Sequence, residues 1–145
     1  MNIKNINSAI AIMSRHMEAD HILDMATWQS FPTKRPALAI LKEEHLCGTP
    51  CCVAGYIAVS PEFQADGGGC RKYSGSPELN DHNDSDAIRE WLGCSNMQAE
   101  ALCGFEDDVG VAYPDKNVDY LEYSDVIATL VSLRDTGKLP GEIIQ

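Results

Sequence analysis

Three of the six cysteines fall within the run Cys47-Gly48-Thr49-Pro50-Cys51-Cys52, which continues as Val53-Ala54-Gly55. A threonine followed by proline is a helix-start signal: the hydroxyl caps a free amide, and proline fills the first helical position, where no N–H is needed. On that reading Cys51 and Cys52 sit in the first turn of a helix over about 50–59, where unpaired amides favour a thiolate. Nucleophilic chemistry is one use of such a thiol, with His45 or His82 as the base. A zinc shell is another, since His45, Cys47, Cys51 and Cys52 cluster and Cys70, His82, Cys94 or Cys103 can complete four ligands. The third use is structural: Gly48, Ala54 and Gly55 permit close backbone approach, and Cys47, Cys52 and Val53 fill a tight core junction.

The structural use is the preferred reading. No established peptidase signature surrounds the motif, and zinc sites ordinarily present two regular ligand pairs where this chain has one irregular group and scattered single cysteines. A calcium loop fares no better. Asp115, Asn117 and Asp119 copy the first oxygen positions of an EF-hand, but Tyr120 stands where the sharp turn needs glycine and Val126 where the bidentate glutamate belongs. The reading is therefore of a non-enzymatic protein with no metal and no cofactor.

Charge offers a different kind of site. The formal net charge of −11 is uneven: residues 1–60 hold five acidic and five basic side chains, and residues 61–145 hold seventeen and six. Glu106, Asp107, Asp108, Asp115, Asp119, Glu122 and Asp125 meet only Lys116. Direct binding of nucleic acid depends on lysine and arginine against phosphate, which this balance disfavours. An acidic face suits a basic protein partner, or copies the charge of nucleic acid before a protein that handles it. Glu106, Asp107, Asp108, Asp115, Asp119 and Glu122 are the candidate partner-binding residues.

The elements that must position these residues are helical. Ile6, Ile10, Met13 and Met17 mark an amphipathic helix over about 5–20. Trp28 and Phe31 anchor a loop, and residues 37–45 form a short helix before the cysteine motif. Ser60-Pro61 ends the motif helix, and residues 61–84, centred on Gly67-Gly68-Gly69, read as a long surface loop without a phosphate-binding pattern. A helix begins near Asp84 or Ser85, buries Ala87, Ile88, Trp91 and Leu92, and stops at Gly93. Ser95 and Gln98 have the spacing of a capping box, opening a helix that ends at Gly104. This pair has the outline of a helix-turn-helix, but no arginine or lysine lies between Ser95 and Cys103 to read DNA. Residues 105–123 read as irregular, anchored by Phe105, Val109, Val111 and Tyr113. Ser124 caps a last helix with Ile127, Leu130, Val131 and Leu133 on its apolar side, and Gly137 closes it.

The expectation is a mainly α, single compact domain (1–145) of about five helices with long irregular loops. Neither a membrane-length apolar run nor a signal-peptide layout is visible, so the expected location is a cytosol. The spaced residues Cys47-Gly48-Thr49, Cys52 and Gly55, with Met25 and Trp28 before them and Leu92-Gly93, Gln98-Ala99, Leu102 and Thr136-Gly137 after, resemble a family of small bacteriophage and bacterial proteins marked by Cys-Gly-Thr-x-x-Cys-x-x-Gly. Cys51 and Cys103 depart from the small and aromatic residues common there. The resemblance implies a phage-type accessory protein in a bacterial host cytosol, and brings no reaction with it. Together with the charge, it leads to the expectation of a protein that binds and modulates or inhibits a host protein, such as one that handles nucleic acid or serves defence. The alternative is a thiol-dependent enzyme or zinc-stabilised domain centred on Cys47 to Cys52.

Overall fold

The computed structural model describes residues 1–21, 23, 52–70, 76–104, 108–117 and 120–143. Among these are eight helices and one small sheet: α1 (Ile3–Glu18), α2 (Val53–Ala58), α3 (Pro61–Ala65), β1 (Gly69–Cys70), β2 (Pro77–Leu79), β3 (His82–Asn83), α4 (Ser85–Leu92), α5 (Asn96–Leu102), α6 (Val109–Ala112), α7 (Tyr123–Thr136) and α8 (Pro140–Ile143). The chain is mainly helical, as its apolar spacing and caps predict. No described helix is long and apolar enough to cross a membrane.

α1 and α7 pack along each other and form the largest helix contact. On α1 the buried residues are Asn5, Ile6, Ala9, Ile12 and Met13. The stripe 6, 9, 13 continues by helical spacing to position 16, so His16 takes the place expected for Met17, which is 41% exposed. Ile10 packs on the core's edge. α7 buries Val126, Thr129, Leu130 and Leu133, a stripe at i, i+3, i+4 and i+7, with Ile127 and Val131 half-buried at its margin. Between these helices and α2, α4 and α5 lies a continuous core that includes Tyr56, Ile57, Phe63, Ile88, Leu92 and Leu102.

Three boundaries differ from expectation. The motif helix starts at Val53 with Cys52 as its N-cap, the Cys52 sulfur accepting from the Gly55 amide at 3.4 Å. Cys52 is thus outside the first turn, and Thr49 and Pro50, expected to cap it, lie outside the described residues. Ser60-Pro61 closes α2 and also opens α3: the Ser60 hydroxyl donates to the Ile57 carbonyl at 2.7 Å and accepts from the Phe63 amide at 3.1 Å. Proline at the first helical position favours that second role. For α7 the N-cap is Glu122, two residues before Ser124, with the Glu122 amide donating to Asp125 Oδ2 at 3.0 Å.

The described residues of the stretch 61–84 hold a short helix and a small sheet where a loop is expected. After α3, β1, β2 and β3 form an antiparallel sheet with Gly69 opposite Glu78, Cys70 opposite Pro77, Glu78 opposite Asn83 and Leu79 opposite His82. Asn80, at φ +54°, makes the tight β2–β3 turn, a conformation asparagine tolerates better than most residues. Phe63 meets the edge of Trp91 at a centroid distance of 5.3 Å, and Trp91 Nε1 donates to Asp66 at 2.8 Å. These contacts tie the α3 and β1 region to α4. The expected helix over 37–45 and the anchors Trp28, Phe31 and Phe105 lie outside the described residues.

Candidate interaction surface

The acidic stretch is held to the core from below. Tyr113 is buried and its hydroxyl donates to the Leu102 carbonyl at 2.9 Å, joining the end of α6 to α5. Burial pushes this phenol well above its ordinary pKa, so it remains a neutral donor. Thr129 of α7 donates to the Ala112 carbonyl at 3.0 Å. α8 closes against the same element, where Gly141 lies so near Val111 that a Cβ would come within 2.6 Å of the Val111 carbonyl oxygen. Apolar and polar anchors together fix α6 and the turn after it.

Beyond these anchors the chain turns outward. Asp115 is exposed and adopts φ +61° in the turn after Pro114. The Lys116 amide donates to the Tyr113 carbonyl at 3.2 Å and the Tyr120 amide to the Asn117 carbonyl at 3.0 Å. Lys116 reaches across to Asp125 at 3.5 Å, and Asp125 also accepts from the Glu122 amide. Asp125 is therefore partly neutralised, whereas Asp115 and Glu122 are exposed. Tyr120 stands between them in sequence with 81% of its surface exposed, the most exposed of the large apolar side chains among the described residues.

Of the six acidic candidates, Asp115 and Glu122 flank the Lys116–Asp125 link, Asp115 as the neighbour of Lys116 in sequence and Glu122 through its amide bond to Asp125; this neighbourhood is the rim. Asp108 is half-buried ahead of α6, and no hydrogen bond or ion pair joins it to that rim among the described residues. Glu106, Asp107 and Asp119 lie outside the described residues. Sequence reasoning passed over Tyr120, which it weighed only as a misfit in a calcium loop. Its signal was an aromatic residue beside Asp119 and Glu122 in a stretch without helical or strand period.

The cysteine neighbourhood has different chemistry. Cys52 and Cys103 are buried, and Cys70 and Cys94 are half-buried. Burial pushes the Cys94 thiol up to about 11, and burial with the neighbouring Cys52 and Cys94 pushes Cys103 well above the usual range. Both thiols are protonated at neutral pH, and a thiol is a poor nucleophile and metal ligand until it ionises. His82, in β3, faces Glu90 of α4 at 3.6 Å. Among the described residues no three His, Cys, Asp or Glu side chains converge as metal ligands. His45, Cys47 and Cys51 lie outside the described residues. Comparison with known protein families, with curated proteins and with solved structures finds no match for this chain.

Proposed function

We propose that this protein is a non-enzymatic binding protein whose acidic C-terminal surface docks on a basic surface of a host protein and modulates or inhibits it. The observation that carries this reading is Tyr120, an aromatic side chain 81% exposed on a rim bearing Asp115 and Glu122. A large aromatic held out in water is available to a partner, and tyrosine is among the residues that most often anchor protein interfaces. Acidic groups around such an anchor steer a basic partner in and orient it, their pull reaching about 10 Å at 0.1 M salt.

The partner class follows from the charge. Proteins that handle nucleic acid expose basic channels for phosphate, and an acidic rim with a stacking ring offers those channels the two features that they recognise in a nucleic acid strand. In a bacteriophage setting, which the cysteine marker suggests, such a protein acts as an accessory factor on a host nucleic-acid-handling or defence complex. Calorimetric titration against a panel of basic nucleic-acid-handling proteins tests this, with Glu106, Asp107, Asp108 and Asp115 replaced together by lysine as the comparison. The expected result is binding by the native chain and at least tenfold weaker binding by the reversed one. Equal affinity for both chains would remove the acidic surface from the account.

A further inference from the structure

The buried stripe of α1 is followed, one turn on, by the half-buried imidazole of His16. His16 stacks on Tyr56 of α2 with ring centroids 4.0 Å apart and planes inclined by 28°. Past the helix end, Asp20 at φ +56° turns the chain back, and the His21 amide donates to the His16 carbonyl at 3.0 Å. The two Nδ1 atoms then lie 2.7 Å apart. From α7, the Tyr123 hydroxyl donates to the His21 carbonyl at 2.7 Å. Residues 19–21 are thereby fastened to α1, α2 and α7 through two histidines and two tyrosines.

Two imidazole nitrogens at that separation share one proton, one ring donating and the other accepting. The contact accommodates two neutral rings, or one neutral ring and one imidazolium. It does not accommodate two imidazolium rings, because both nitrogens would then be donors carrying like charge. Among the described residues, the charged groups that face the pair are Arg15 of α1, which opposes a further proton, and Glu62 of α3, which favours one and is itself tied to Arg15 by contacts of 2.6 and 3.0 Å. Tyr56 and Tyr123 face it as phenols. Burial first, then His21, then Arg15, lowers His16 to about 4 against the small opposing effect of Glu62.

We propose that the His16–His21 pair is a pH-operated latch: while the rings share a proton it holds residues 19–21 against Tyr56 and Tyr123, and the second proton releases them. The core does not depend on the latch, since Ile6, Ile12 and Met13 of α1 and Leu130 and Leu133 of α7 are buried independently of it. Acidification therefore opens one local clasp while the helices persist. Because the folded value lies below that of a free histidine, about 6.5, the clasp is fully stable above pH 6.5 and weakens as the pH falls towards 4.

Hydrogen exchange of the His21 amide, corrected for its intrinsic rate and followed by NMR from pH 7 to 4.5, reads the latch directly, with far-ultraviolet circular dichroism reporting the helices. Protection of that amide should fall at least tenfold across this range while helicity is retained. His16→Phe keeps a ring on Tyr56 without a titrating group and should make the protection independent of pH; His21→Asn removes the second ring and should leave a smaller pH response than the native chain shows, because burial still opposes protonation of His16. Constant protection in the native chain would overturn the proposal, as would the same pH response in both variants, or a loss of protection that appears only together with loss of helix.

Discussion

Tyr113 shows how one side chain connects the core to the rim. Its hydroxyl meets the Leu102 carbonyl in a buried setting, so Tyr113→Phe leaves that carbonyl without its side-chain partner at almost unchanged volume. Such a loss costs about 1–2 kcal/mol. Urea unfolding should show that decrease, and an unchanged midpoint would mean that the bond contributes nothing to holding α6 in place. The thiols make a second case at this scale. With Cys94 pushed up to about 11 and Cys103 well above the usual range by burial, both should react with a disulfide reagent at pH 8 at least a hundredfold more slowly than in the unfolded chain, as thiolate supply and access both fall. Site-resolved mass spectrometry after brief labelling checks this; labelling of Cys94 or Cys103 at the unfolded rate would contradict it. At the residue level the sequence identified the anchors Val109, Val111 and Tyr113 but missed His16, because a polar residue on an apolar stripe breaks the very pattern used to find the stripe.

Among the elements, the helix ends at Gly93, Ser95 and Gly137 were legible, because a cap is chemistry local to a few residues. Ser95 and Gln98 exchange bonds of 3.1 Å in both directions, as their spacing predicts, and Gly93 and Gly137 close α4 and α7 at φ +69° and +73°. Those two glycines are nevertheless unequal. A Cβ at Gly137 meets open space, whereas one at Gly93 would come within 2.9 Å of the Asn2 amide nitrogen, whose own bond to the Leu92 carbonyl, at 2.8 Å, holds the start of α1 on α4. Gly137→Ala should therefore cost only the left-handed strain, about 1 kcal/mol, and Gly93→Ala about 2–4 kcal/mol because the backbone must also move. Thermal or urea unfolding of the two variants separates them, and equal losses would mean that the Asn2 contact is unimportant. The sheet was illegible for a different reason. Strands of two or three residues are too short to show alternation, and their order comes from pairing across the β2–β3 turn and from packing of Leu79. Ser60-Pro61 was read only as a stop because the rule for the residue before proline and the rule for proline at a helix start apply to the same two residues.

For the whole molecule, the helical class followed from the periodicity of α1, α4 and α7, and the distribution of charge was visible in composition. The way in which the acidic segment is presented was not, since it depends on long-range bonds from Leu102 and Ala112 and on the close approach of α8 to Val111. Tyr120, Asp115 and Glu122 are exposed around the Lys116–Asp125 link, and the proposed function rests on that rim. Its most direct test is the salt dependence of binding to a basic nucleic-acid-handling protein, measured by titration at 50 and 200 mM salt for the native chain, for Asp115→Lys with Glu122→Lys, and for Tyr120→Ala. The account predicts that native binding weakens at least fivefold with salt, that charge reversal lowers affinity at least tenfold and flattens the salt response, and that Tyr120→Ala lowers affinity at both salt concentrations while keeping the response. Binding that is indifferent to salt and to all three substitutions would contradict it.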